Sequence, residues 1–73
     1  MANKDVKSEI TGSVWKILKA PGDTVGDEDA LMILESMKME IPVMAEVQGK
    51  VVEIRVKEGD SIMEGQVLAV IEV

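Results

Sequence analysis

A lysine between two methionines is the most chemically distinctive feature of this 73-residue sequence. Lys38 lies in the run Glu35-Ser36-Met37-Lys38-Met39, near the middle of the chain. A lysine amine is a nucleophile only without its extra proton, and in water at neutral pH a free lysine is almost entirely protonated. Lys38 is therefore a candidate acceptor of an acyl group, provided that another protein supplies an activated donor and removes the proton.

The rest of the sequence offers little other chemistry. It contains no histidine and no cysteine, which removes the commonest general base, thiolate metal ligands and disulfides. No nucleophile–base pair can be assembled from what is left. We therefore expect no catalytic residues and no metal site, and we predict that the domain is not an enzyme.

The charge balance narrows the class of partner. Asp and Glu number 14 against 8 Lys and Arg, which gives a formal net charge of −6. An acidic surface repels phosphate, so nucleic acid and anionic membranes are poor partners. No apolar run approaches the ~20 residues of a membrane span, and residues 1–10 lack the apolar core of a signal peptide. We expect a cytoplasmic location.

The elements that position Lys38 follow from an internal repeat. A shift of 37 residues aligns residues 6–35 with residues 43–72, and nine of the 30 pairs are identical. Two copies are too few for a solenoid and instead predict a pseudo-two-fold domain. The identical pairs are Val6/Val43, Glu9/Glu46, Gly12/Gly49, Val14/Val51, Ile17/Ile54, Gly22/Gly59, Asp23/Asp60, Leu31/Leu68 and Glu35/Glu72.

Both copies have the pattern of β-strands. Residues 14–18 and 51–56 are rich in β-branched side chains, and apolar runs at residues 30–35 and 66–73 end each copy. We predict an all-β domain spanning residues 1–73, with two short sheets packed face to face as a flattened barrel or sandwich. Residues 1–5 are expected to fray.

Glycines and alternation refine this prediction. Gly12, Gly22 and Gly59 are interpreted as turn formers, two of them followed by aspartate. The second strand of the second copy alternates, with one face predicted to carry Val52, Ile54 and Val56.

The lysine falls at the junction of the two copies. The first copy ends at Glu35 and the second begins near Val43, so the residues between Ser36 and Met39 should form the hairpin that links the halves. A two-residue hairpin needs positive φ at both central positions and favours Asn-Gly or Asp-Gly. Met-Lys has no such preference, and a turn that opposes its own local chemistry indicates a functional constraint.

The motif at residues 35–39 resembles the attachment site of biotin carboxyl carrier proteins and other biotinyl domains. The resemblance covers nearly the whole chain. It extends to both Gly-Asp turns (Gly22-Asp23 and Gly59-Asp60), to the paired Gly12 and Gly49, and to Glu64-Gly65-Gln66. It implies a flattened barrel of two four-stranded antiparallel sheets with quasi-two-fold symmetry, which agrees with the repeat.

The resemblance also implies a function and its partners. A biotin protein ligase would attach biotin covalently to Lys38, with Met37 and Met39 as flanking recognition residues and Glu35 and Ser36 as the context of the motif. The domain would carry CO2 as carboxybiotin between a biotin carboxylase and a carboxyltransferase. It would thus be a non-catalytic carrier of an acyl-CoA carboxylase or a related biotin enzyme.

Three features depart from the family pattern. Ser36 stands where the family usually has alanine, a small change that the site should tolerate. Glu28 occupies the place of Gly65 in the other copy, which affects the expected shape of the loop at residues 25–30. The chain has no inserted thumb segment like that of some bacterial fatty-acid-synthesis carriers, which argues against that subtype.

Other functions fit the same sequence. A lipoyl carrier of a 2-oxoacid dehydrogenase resembles this chain, but lipoyl domains typically have Asp before the lysine and a small residue after it, where Met37 and Met39 stand. A dual biotin and lipoyl attachment protein lies between the two. A third possibility is an unmodified β interaction module with an incidental lysine. The mass of an adduct on the protein separates the three.

Overall fold

Eight β-strands form the architecture of the protein. The computed structural model describes residues 2–73, and Met1 lies outside the described residues. In chain order, the strands are β1 (Asn3–Lys7), β2 (Gly12–Ile17), β3 (Thr24–Val25), β4 (Ala30–Ser36), β5 (Met39–Met44), β6 (Gly49–Ile54), β7 (Ser61–Ile62) and β8 (Val67–Glu72). Residues 2–73 form no helix of the length and apolarity that a membrane crossing would require.

The strands form two four-stranded antiparallel sheets, as the sequence predicted. One sheet has the order β1-β8-β6-β3 and the other has the order β5-β4-β2-β7. The 37-residue shift superimposes the bounds of β2 on β6 and those of β3 on β7, and it overlays β1 on β5 and β4 on β8. Each strand of one sheet therefore has its repeat mate at the equivalent place in the other, which confirms the quasi-two-fold symmetry.

Strand β1 corrects the expectation that residues 1–5 fray. Asn3–Lys7 pairs with β8, with Asn3 opposite Glu72 and Val6 opposite Ala69. The backbone N–H of Val73 also donates to the carbonyl of Ala2, at 2.9 Å. The prediction was wrong because residues 2–5 are all exposed and show no apolar pattern, whereas the backbone ladder and the buried Val6 hold the strand in place.

The core between the sheets is aliphatic and divides into two clusters. Val43 and Ile54 pack against both clusters and join them. The single tryptophan, Trp15, is 48% exposed and is not part of the core. One cluster contains Val6, Val25, Leu31, Ala45, Val51, Ala69 and Ile71, and the other contains Val14, Met32, Leu34, Val56, Ile62 and Leu68.

Bulges at equivalent places in β2 and β6 change which side chains face the core. The pairing register shifts between Val14 and Lys16 in β2, and between Val51 and Glu53 in β6. The extra residue at each bulge turns outward, so that Val52 is 40% exposed while Val51 is fully buried. The predicted alternation that placed Val52 on one face with Ile54 and Val56 was therefore wrong at this point.

Candidate functional site

Lys38 lies at the tip of a two-residue hairpin between β4 and β5. Ser36 is paired with Met39, so only Met37 and Lys38 form the turn. Their φ angles are 52° and 65°, the left-handed values that the mirror-image hairpin turn requires at both central positions. Neither residue is glycine, asparagine or aspartate, and a left-handed conformation costs other residues roughly 1–2 kcal/mol each. The hairpin therefore keeps a strained pair at its tip.

The three residues of the tip are open to solvent. Met37 is 89% exposed, Met39 is 58% exposed and Lys38 is exposed. Within residues 2–73, no side-chain hydrogen bond or salt bridge involves the Lys38 amine. The structure thus presents a primary amine between two apolar thioethers at the end of a rigid β-hairpin. This arrangement suits an amine that is modified inside the active site of another protein.

Two carboxylates face each other immediately below the tip. Glu35 of β4 is paired with Glu40 of β5, and both residues are exposed. Like charges directly opposite each other on an antiparallel ladder are destabilising. Glu35 was identified from the sequence, but Glu40 was not, because it becomes a neighbour only through the register of the hairpin. Glutamate on each side of the turn, at equal distances from Met37 and Lys38, is the sequence signal that could have found it.

Ser36 ties the base of the hairpin to the rest of the fold. Its side chain is half-buried, and its hydroxyl donates a hydrogen bond to the carbonyl oxygen of Thr11, at 3.0 Å. The hydroxyl of Thr11 in turn accepts a hydrogen bond from the backbone N–H of Glu64, at 3.3 Å. Thr11, which the sequence analysis did not single out, therefore connects β4 to the turn between β7 and β8. Serine at this position supplies a contact that alanine would lack.

A close approach of two strands explains Gly12. A Cβ atom at this position would collide with the carbonyl oxygen of Glu35, at the base of the hairpin. Gly12 lies within β2 and not in a turn, so its interpretation as a turn former was wrong. Gly22 and Gly59 do occupy turns, with φ of 100° and 93°. Gly12 thus allows β2 to lie directly against the strand that carries the Lys38 hairpin.

Comparisons with known proteins support this description of the site. The family model described as "Biotin-requiring enzyme" matches residues 2–71. A biotinylated protein TB7.3 homolog from Mycobacterium leprae is 48% identical over 68 residues, which is 93% of this chain and 96% of the relative. A biotin/lipoyl attachment protein from Bacillus subtilis is 44% identical over 63 residues, which is 86% of each chain.

A solved structure extends the likeness to three dimensions. The urea carboxylase of Kluyveromyces lactis contains a region that superimposes with a TM-score of 0.92 and 40% sequence identity. The match covers 99% of this chain but only 6% of the carboxylase. The family model and the near full-length relatives agree with the two-sheet fold and its hairpin lysine, and the chain belongs to the biotin/lipoyl attachment-domain family.

Proposed function

We propose that this chain is a single attachment domain that acts as a biotin carboxyl carrier, with biotin joined covalently to Lys38. The observation that carries the proposal is the presentation of Lys38 at the tip of a strained two-residue turn, between two exposed methionines. Names of similar proteins agree with biotin as the group, since the relative from M. leprae is described as biotinylated and the structural match is a carboxylase.

Attachment requires a second protein, because the chain has no residue that could activate a carboxylate. A biotin protein ligase is the partner that this chemistry implies. It must present the biotin carboxyl group as an activated acyl donor and accept a proton from the Lys38 ammonium. The Nζ atom then forms an amide bond to the carboxyl carbon as the activating group leaves. The reaction removes one positive charge, so the formal net charge changes from −6 to about −7.

The residues around Lys38 orient the amine and offer contacts. Met37 and Met39 provide flexible apolar surface that a ligase pocket can cover. Glu35 and Glu40 give the base of the hairpin a negative charge, which favours a partner with a basic rim. Ser36 fixes the hairpin to the loop at Thr11, so the tip keeps one orientation.

The domain's part in the overall reaction is presentation. Bound biotin supplies the ureido group that accepts CO2, and the chemistry of loading and transfer belongs to a biotin carboxylase and a carboxyltransferase of an acyl-CoA carboxylase or a related enzyme. The carrier itself is non-catalytic. Attachment to a mobile lysine side chain on a stable hairpin keeps the group at an effective concentration on the order of mM near each partner site.

A lipoyl or dual biotin and lipoyl attachment protein is the second candidate. The observation that favours it is the relative from B. subtilis, which is described as a biotin/lipoyl attachment protein. The two methionines that flank Lys38 favour biotin, because lipoyl domains typically have aspartate and a small residue at these places. The mass of the adduct decides between the two groups.

Co-expression with a biotin protein ligase, followed by intact-mass measurement, tests the proposal. We expect one biotin adduct per chain, which is lost in Lys38→Ala and kept in the control Lys16→Ala, a change of another exposed lysine on β2. Circular dichroism of Lys38→Ala should match the parent, since the side chain makes no contact that holds the fold. Biotin on Lys38→Ala, or loss of biotin in Lys16→Ala alone, would contradict the assignment. A parallel reaction with a lipoate ligase tests the second candidate.

A further inference from the structure

Three exposed methionines lie at the end of the molecule that carries the hairpin. Met37 is 89% exposed, Met39 is 58% exposed and Met63 is 69% exposed. Met63 belongs to the turn before β8, and the bonds of Thr11 to Ser36 and to the N–H of Glu64 join this turn to the base of the hairpin. Such exposure is unusual, because a methionine side chain is apolar and adaptable and usually fills gaps in a core, as the fully buried Met32 does here.

The exposed thioethers have a reactivity that other apolar side chains lack. Leucine would offer a partner a similar apolar surface but would not react with peroxide, whereas methionine is oxidised to the sulfoxide. The sequence has no cysteine to compete for the oxidant. Met32 is enclosed, and Met44 is half-buried. A peroxide therefore meets the methionines on each side of Lys38 before it meets those of the core.

We propose that Met37 and Met39 are a reversible oxidation site that controls the acylation of Lys38, an inference that rests on the proposed function. Hydrogen peroxide transfers one oxygen atom to each sulfur. The O–O bond breaks, an S–O bond forms, the sulfur loses two electrons and the other oxygen leaves as water. A methionine sulfoxide reductase reverses the step, as two thiols supply two electrons and become a disulfide while the sulfoxide oxygen leaves as water.

Oxidation changes recognition without unfolding the domain. The methionines of the tip make no core contacts that hold the sheets together, so a sulfoxide at either position remains hydrated in the free carrier. In the complex with a ligase, the same sulfoxide is covered by a surface that fits a thioether. Covering a polar group without a hydrogen-bond partner is unfavourable, and we expect acylation of Lys38 to slow roughly tenfold or more.

Controlled oxidation of the apo-domain tests this inference. Peptide mapping by mass spectrometry follows sulfoxide formation at each methionine, and the initial rate of biotinylation by a purified ligase is measured at each dose of hydrogen peroxide. We expect oxidation at Met37 and Met39 before Met32, and a rate that falls in proportion to that oxidation. The double variant Met37→Leu with Met39→Leu should keep its rate after treatment, because leucine preserves the apolar surface.

Met63→Leu is the matched control, since it removes an equally exposed thioether from a different turn. This variant should lose its rate on oxidation as the parent does, and sulfoxide reductase with dithiol should restore both. An oxidised parent that keeps its rate would overturn the inference, as would a double-leucine variant that loses its rate to the same extent. An untreated parent that the ligase leaves unmodified would contradict the proposed function itself, so the two failures are distinct.

Discussion

At the scale of the single residue, the tip of the hairpin is defined by backbone conformation as much as by side-chain identity. Met37 and Lys38 are two of the three non-glycine residues with positive φ in residues 2–73, and the third is Glu46. The register of β4 and β5 leaves no other residues for the turn. The sequence identified the amine and its unfavourable turn correctly, but Thr11 and Glu40 could not be assigned to the site. Their proximity depends on strand register and on a loop 25 residues distant from Ser36.

Exchange of the lysine with its neighbour tests whether position within the turn matters. The double variant Met37→Lys with Lys38→Met keeps composition and charge, and both side chains stay exposed at the tip. The circular dichroism spectrum and the melting temperature should therefore match those of the parent. Biotinylation should fall to background, because consecutive residues of a tight turn direct their side chains differently. A rate within a few-fold of the parent would mean that a ligase needs only an accessible lysine beside methionine.

Ser36→Ala tests the hydrogen bond at the base of the hairpin. The change removes the donor to the Thr11 carbonyl, at a site that is partly exposed. We expect the free energy of unfolding to fall by about 0.5–1.5 kcal/mol in denaturant titrations. Biotinylation should continue, because Lys38 keeps its place in the turn. Ser61→Ala, at an exposed serine of β7 with no side-chain hydrogen bond among residues 2–73, is the control and should leave stability within about 0.5 kcal/mol.

At the scale of the element, sequence patterns located the long strands and missed the short and irregular ones. The predicted runs at residues 14–18, 30–35, 51–56 and 66–73 overlap β2, β4, β6 and β8. Strands β3 and β7 have two residues each, which is too short to show alternation, and β1 is held by its pairing with β8. The bulges of β2 and β6 could not be predicted, because a bulge is a mismatch between two strands and not a property of one.

The loop at residues 25–30 shows how a different residue can occupy an equivalent turn. Gly65 has a φ of 87°, whereas Glu28 in the other copy is not among the residues with positive φ. Both loops nevertheless keep one hydrogen bond, from the N–H of Gly26 to the Asp29 carboxylate and from the N–H of Met63 to the Gln66 side chain. The substitution that departs from the family pattern therefore changes the backbone locally and leaves the Lys38 hairpin unaffected.

Alanine substitutions of two glycines test the turn conformations. Gly59 has a φ of 93°, and nothing lies within 4 Å of an added Cβ, so Gly59→Ala should act through backbone strain alone. We expect a loss of roughly 1–2 kcal/mol in the free energy of unfolding. Gly26→Ala is the control, because Gly26 has no positive φ and its added Cβ would make only an ordinary contact with Asp29. Equal melting curves for the two variants would argue against strain at Gly59.

At the scale of the whole molecule, the two copies are interlocked through equivalent bonds. The N–H of Gly22 donates to the carbonyl of Val51 at 2.7 Å, and the N–H of Gly59 donates to the carbonyl of Val14 at 2.7 Å. Each copy therefore closes its turn on a strand of the other. The symmetry differs at one place only in consequence: β4 continues into the Lys38 hairpin, whereas its mate β8 is followed by Val73. The repeat builds the scaffold, and the attachment site lies where the copies are joined.

This symmetry supplies a matched pair of variants that separates stability from function. A Cβ at Gly12 would collide with the carbonyl oxygen of Glu35, and a Cβ at Gly49 would collide with that of Glu72. We expect Gly12→Ala and Gly49→Ala to lower the free energy of unfolding by similar amounts, roughly 1–3 kcal/mol, because each forces the same pair of strands apart. Only Gly12→Ala displaces the base of the Lys38 hairpin. At a temperature where both variants are folded by circular dichroism, biotinylation should be slower for Gly12→Ala and close to the parent rate for Gly49→Ala. Equal rates in the two variants would show that recognition depends on the tip alone, and a slower rate for Gly49→Ala would show that it follows global stability.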